Sequence, residues 1–297
     1  MVISRYHHER GAANATRHRR SPNTINSHRA TSPAYTTCHR PDTRIAKTKF
    51  GGFDDGRDER LRHQLVLLAD VGADARAFQE CTGWRASGCR ALFLAEQMLG
   101  LRGFLVPSHH GSDLAVFVRQ SVGLRVTAER HEQGRPYWHA VAHIVVETAW
   151  PGSSLHLVSA DLAPSSPSIR QAEAEAFALI AQDGPVIAGG DWKAVPATDP
   201  EPGVDHIDPM EVRHELDRSA AYALEEAGFI DVAAHLGDLR PTVGHVSGPR
   251  YRRDRIYTTL PPEAIASYQV VTEYEPASPH RPIVATFDLD AVKDRAK

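Results

Sequence analysis

Apolar positions in this chain recur with two different periods. At helical spacing, Leu61, Leu65 and Leu68 mark an amphipathic helix over 60–71. Similar spacing predicts helices over 91–99, over 169–182 with an Ala/Glu face, and over 217–227, closed by Gly228. Alternating or continuous apolar runs predict strands over 44–50 (a short edge or entry strand), 75–79, 114–119, 124–128, 138–148, 154–160, 185–188, 252–258, 268–273 and 282–289. Gly51-Gly52, Gly72-Ala73-Asp74 and Gly152-Ser153 read as turns, and the Pro- and acid-rich stretch 199–208 as a loop. Strands alternate with helices throughout, which places the chain in the α/β class. No internal repeat or linker interrupts 45–290, so one domain is expected there, with a tail at 1–44 and another at 291–297.

Charge changes this picture only at the N-terminus. The 297 residues carry 34 Lys+Arg against 37 Asp+Glu, a net of −3. Residues 1–48 hold nine of the basic residues and two of the acids, so they carry +7 and the remainder −10. The first 44 residues are also rich in His, Ser, Thr, Asn and Pro and lack apolar periodicity, which predicts disorder. A nucleic-acid-binding arm, a transit peptide and a plain non-folding extension all fit. The extension fits best, because no aromatic residues are interleaved with the basic ones as a stacking surface requires. A run of about 18 apolar residues is absent, so no membrane-spanning helix is expected. No apolar segment of secretory type stands near the start, so a cytoplasmic location is expected. Three cysteines, Cys38, Cys81 and Cys89, are odd in number and lack metal-site spacing, which argues against a disulfide scaffold or a zinc finger.

Candidate chemistry gathers where predicted strands stop. Phe78-Gln79-Glu80, Ala160-Asp161, Gly189-Gly190-Asp191 and Arg253-Asp254-Arg255 each set a carboxylate against an apolar run. The loop Ser278-Pro279-His280 precedes the last strand. Polar residues collected at one edge of a sheet commonly build a site. Carboxylates collected in this way suit a hard divalent cation, Mg2+ or Mn2+, and a phosphorylated substrate. Each residue alone has a plainer role as a turn former, a cap or an ordinary ion-paired acid.

The order Phe78-Gln79-Glu80, Gly189-Gly190-Asp191-Trp192, Arg253-Asp254-Arg255-Ile256-Tyr257 and Ser278-Pro279-His280-Arg281-Pro282 resembles the endonuclease/exonuclease/phosphatase superfamily over roughly residues 45–290. The resemblance implies a four-layer sandwich of two packed mixed β-sheets flanked by helices, the DNase I-like fold. It implies Glu80 as a metal ligand and Asp191 as the residue that orients or deprotonates the attacking water. It also implies Asp254 and His280 as a hydrogen-bonded pair in which an imidazolium faces the phosphate.

The chain departs from the family pattern at four positions. Lys49 stands where the first strand of the family ends in Asn, and Lys193 where the family has Gly-Asp-x-Asn. Asp161 stands where DNase-like members have His, and Pro279 where they have Asp. Register error does not rescue the asparagines, because Asn14, Asn23 and Asn26 are the only ones in the chain. Two of its five lysines fall on those positions. An ammonium donates and cannot ligate a cation. Two readings fit: beside Glu80 or Asp191 the ammonium takes the electrostatic place of a metal, giving a metal-weakened or metal-free pocket with Lys49, Lys193 and Asp161 as substrate-binding groups, or Lys49 and Lys193 are solvated residues on the rim of a decayed site.

Two function classes follow. One is a metal-dependent phosphodiesterase or phosphomonoesterase. The other is a catalytically silent relative that binds a phosphorylated ligand or partner. DNA, RNA, sugar phosphate, inositol phosphate and lipid head groups all remain open. Nucleic acid also enters through the tail or the local basic strip Arg250, Arg252, Arg253 and Arg255.

Overall fold

The computed structural model describes residues 42–50, 58–120, 123–148, 154–204, 207–273 and 277–290. Most of the expected tail at 1–44, all of 291–297, and the Gly51-Gly52 and Gly152-Ser153 turns lie outside the described residues.

Two six-stranded sheets form the middle of the molecule. The first contains β1 (Asp42–Lys49), β2 (Ala75–Gln79), β3 (Arg102–Val106), β4 (Leu114–Val118), β11 (Ile265–Val270) and β12 (Ile283–Asp288), in the order β11-β12-β1-β2-β4-β3. The second contains β5 (Arg125–Glu129), β6 (Val141–Glu147), β7 (Ser154–Asp161), β8 (Val186–Asp191), β9 (Ile230–Asp231) and β10 (Asp254–Thr258), in the order β5-β6-β7-β8-β10-β9. Each sheet is mixed, with one parallel pair at its centre: β1 with β2, and β7 with β8.

Burial follows the strand alternation that the sequence displays. Ile45, Val116, Ile144, Leu157, Ile187, Ile256 and Ile283 form the core between the sheets. The outer face of the first sheet turns Phe50, Phe78 and Phe117 toward Leu61, Leu65 and Leu68 of α1 (Asp58–Val71) and Leu94 of α2 (Ala86–Leu99). The outer face of the second packs Val158, Ala188 and Tyr257 against Phe177 of α3 (Pro167–Ala178) and Leu224 of α5 (Ser219–Glu226). Of two further short helices, α4 (Pro209–Glu215) and α6 (Val232–His235), the second adds Val232 to the core between the sheets. The result is the expected helix–sheet–sheet–helix sandwich.

The structure corrects several boundaries. β1 starts at Asp42 and, of the two alternatives, is the entry strand and not an edge, hydrogen-bonded to β12 on one side and β2 on the other. β3 has no counterpart in the sequence pattern, because Gly103 interrupts its apolar run. That glycine is required, since a Cβ there would lie 2.6 Å from the Phe117 ring. α3 starts two residues before the periodic run, with Pro167 in its first turn and the Ser166 hydroxyl accepting from Ile169 N at 3.4 Å.

The Gly189-Gly190 pair is explained by close approach. A Cβ on Gly189 would lie 2.9 Å from Ala77 Cβ and 3.0 Å from Lys47 Cβ of the opposite sheet. On Gly190 it would lie 2.8 Å from the Trp192 ring. The two sheets therefore close tightly under the end of β8. A small polar bridge crosses at the same level, where Gln79 Nε2 donates to Ser159 Oγ at 2.7 Å and Ser159 Oγ donates to Phe78 O at 2.9 Å.

Candidate functional site

The topology brings all seven residues singled out from the sequence to one edge of the sandwich. β1 and β2 run parallel and end there with Lys49 opposite Gln79, immediately before Glu80. β7 and β8 also run parallel and end with Asp161 opposite Asp191. β10 begins there, with Asp254 opposite Asp191. His280 stands just before β12, in a loop fastened by Ser278, whose hydroxyl donates to Lys49 O at 3.0 Å and accepts from His280 N at 3.1 Å. Glu80 and Lys193 both hold positive φ, 53° and 51°, a conformation that non-glycine residues adopt at local cost.

Asp191 is the centre of the cluster and is fully buried. Its Oδ2 accepts from Lys49 Nζ at 2.6 Å and from Lys193 Nζ at 2.8 Å. Its Oδ1 accepts from Arg253 Nε at 3.1 Å and from the Lys193 backbone N–H at 3.3 Å. Lys49 Nζ also lies 2.9 Å from Glu80 Oε1, so one ammonium bridges the two carboxylates. Lys193 Nζ lies 2.8 Å from Asp161 Oδ1, off the hydrogen-bond direction, and both Asp161 oxygens lack a hydrogen-bond donor among the described residues. Arg253 Nη1 reaches Glu215 Oε1 at 3.2 Å.

These contacts set the charge states. Burial works against a charged Asp191, yet Lys193, Lys49 and Arg253 outweigh it and hold the carboxyl well below the usual range. Burial likewise opposes the Lys49 ammonium, but Asp191, Asp161 and Glu80 hold it well above the ordinary lysine value. Lys49 is therefore a fixed cation and not a nucleophile.

Asp254 and His280 form the expected pair, with His280 Nδ1 2.9 Å from Asp254 Oδ2. Asp254 is also ion-paired with Lys47, whose side chain is fully buried. Burial would raise the Asp254 carboxyl, but His280 and Lys47 hold it low. For His280, burial is the largest influence, reinforced by Lys49 and outweighing Asp254, so its pKa falls below the ordinary histidine value. That shift favours the neutral ring, with Nδ1–H donating to the Asp254 carboxylate. This direction runs against the imidazolium expected from the resemblance.

Three participants were missed in the sequence. Lys47 shares a face with Lys49 by the two-residue strand period, a signal that was available. Arg253 was read only as part of a basic strip. His139 is buried in the loop before β6, and its ionisation is depressed mainly by burial and also by Lys193, Lys49 and His110, against an opposing effect of Asp161. Its place beside the cluster is a long-range fact with no local motif.

Asp191, Asp254 and His280 present ligand atoms within 4.8 Å of one another, the spacing a metal ion needs. Their chemistry does not suit one. An ionised carboxylate has about four lone-pair sites, and Asp191 already accepts four hydrogen bonds, three of them from cationic side chains. Asp254 holds Lys47 and His280. Glu80 holds Lys49. A divalent ion here has to displace an ammonium first.

No protein-family model matches the sequence, and no curated protein matches it. Solved structures match across the folded part. An endonuclease/exonuclease/phosphatase from Bacteroides vulgatus is 14% identical, with TM-score 0.62, covering 84% of this chain and 99% of its own. An AP endonuclease from Archaeoglobus fulgidus is 15% identical, with TM-score 0.59, covering 83% of this chain and 100% of its own. The mannosyl-6-phosphatase Bt3783 from Bacteroides thetaiotaomicron VPI-5482 is 14% identical, with TM-score 0.59, covering 82% and 98%. At identities this low the likeness is one of fold, and the fold of this chain is the DNase I-like sandwich that these structures share.

Proposed function

We propose that this protein is a divergent relative of the endonuclease/exonuclease/phosphatase enzymes that binds a phosphorylated ligand at the Asp191 cluster through fixed cations, without a divalent ion. The observation that carries this reading is the Lys49 ammonium seated between Glu80 and Asp191. Each of Glu80, Asp161 and Asp191 already faces a cation, Lys49, Lys193 or Arg253. A divalent ion that took one of these carboxylates would leave a buried cation without its partner, which is costly. Among the described residues, Arg253 Nη2 makes no hydrogen bond, and it is the open donor of the set for a phosphate oxygen.

The neighbouring folds include a nuclease and a sugar phosphatase, so phosphate is the chemistry they have in common. The test is calorimetric titration of the full chain with inorganic phosphate and pyrophosphate, with and without EDTA. Binding that EDTA leaves unchanged and Arg253→Ala weakens supports the reading. Binding that appears only with Mg2+ or Mn2+ overturns it.

A second reading, phosphoester hydrolysis, is favoured by one observation, the intact Asp254–His280 pair. In it, neutral His280 Nε2 takes a proton from the attacking water, Asp254 fixes the tautomer, and Lys49 and Arg253 face the phosphoryl oxygens. Release of aryl alcohol from a bis-aryl phosphate, lost in His280→Ala, supports it. The same assay with added Mg2+ or Mn2+ against EDTA reports whether turnover draws on a metal.

A further inference from the structure

One wall of the site is aromatic, exposed and tied down. The His110 ring stacks on Trp138 with centroids 4.3 Å apart and planes 10° from parallel. His110 lies in the β3–β4 loop of the first sheet and Trp138 in the β5–β6 loop of the second. The two loops are held together by His109 Nε2 on Gln133 O at 2.8 Å and by Ser108 Oγ with His139 Nδ1 at 3.3 Å. A buried carboxylate anchors the pair from beneath. Glu173 accepts from Trp138 N at 2.6 Å and from Ala163 N at 2.7 Å. His110 is exposed and Trp138 half-buried, so outer ring surface is open to a ligand.

The pair also adjoins the charged cluster. The His110 ring is edge-on to His139 with centroids 6.0 Å apart, and His139 in turn senses Asp161, Lys193 and Lys49. A planar ring surface thus adjoins the cationic groups of the cluster.

We propose that the His110–Trp138 pair is a stacking platform for the base of a nucleotide whose phosphate is held at the Asp191 cluster. A nucleotide unit carries a planar ring, hydroxyls and a phosphate in sequence, whereas a sugar phosphate or an inositol phosphate offers no ring to stack. The platform deepens the phosphate-binding reading and rests on it for the phosphate half.

The test compares the dinucleotide pApA, ribose 5-phosphate and adenosine by calorimetry on the full chain. Base–aromatic stacking gives pApA an affinity about 5- to 150-fold above ribose 5-phosphate. That ratio falls toward one in Trp138→Ala and His110→Ala, and Trp138→Phe, which keeps a ring on the anchored backbone, retains most of it. Equal binding of pApA and ribose 5-phosphate by the wild type, or a ratio unchanged in Trp138→Ala, overturns the platform and leaves the phosphate reading standing. Trp138-dependent binding of adenosine with no binding of ribose 5-phosphate sustains the platform and removes the phosphate reading. Absence of binding by all three overturns both.

Discussion

Replacing Lys49 with alanine removes the ammonium that separates Glu80 from Asp191. At 2.6 Å and 2.9 Å, each contact represents about 6 kcal/mol of raw attraction at an effective dielectric of about 20. Most of that is offset by the cost of taking the charges out of water. Glu80 is partly exposed and recovers its hydration when the lysine goes, so its contact contributes little to the net effect. Asp191 has no exposure but retains Lys193 and Arg253. The loss therefore falls at the low end of the range for breaking a buried pair, about 3 kcal/mol. For a domain of this size that is a drop of about 6–12 °C in Tm. Removing the ammonium also frees two carboxylates for a cation, so millimolar Mn2+ is expected to return part of the lost stability in Lys49→Ala and to leave the wild-type melt unmoved. Thermal unfolding followed by circular dichroism, with Mn2+ and with EDTA, reads both effects. A variant that melts with the wild type, or a wild type that Mn2+ stabilises as much as the variant, refutes the reasoning.

Other consequences follow from the same structure. His143 and His156 share a buried hydrogen bond of 2.9 Å, and burial, with the neighbouring His156, pushes His143 down to about 4. Its folded pKa lies below its unfolded value, so this contribution is present above about pH 6.5 and is lost as pH falls toward 4, about 3 kcal/mol at most. An NMR titration of the His143 ring is expected to show a midpoint near pH 4, and a midpoint near 6.5 contradicts it. Gly189→Ala forces a Cβ against Ala77 and Lys47 of the opposite sheet, with an expected loss of about 1–3 kcal/mol in urea unfolding; an unchanged midpoint contradicts the close approach.

The fold was legible because burial on these strands is continuous or strictly alternating, and because α1 and α3 carry periodic apolar faces. The elements that escaped are short or interrupted: β3 by Gly103, and β9, which has two residues and takes its place from pairing with β10. At the site, strand ends carrying Glu80, Asp161, Asp191 and Asp254 were visible as changes from apolar to ionisable residues, and the lysines as departures from a family pattern. The partner of each lysine was not visible. Which carboxylate Lys47 or Lys49 meets depends on how the two sheets stack, and residues 207 and 142 positions apart carry no local trace of that. The downward shift of His280 was also beyond the sequence, because it depends on burial outweighing Asp254. The His110–Trp138 stack joins loops from different sheets and belongs to the same class of long-range fact.

The central claim is that fixed ammonium groups stand where a divalent ion would bind. Anomalous diffraction from crystals grown with Mn2+ and phosphate tests it directly. The account predicts no manganese peak between Glu80 and Asp191, Lys49 Nζ bridging the two carboxylates, and phosphate against Arg253. A manganese ion liganded by Glu80 or Asp191, with Lys49 and Lys193 turned away, contradicts it.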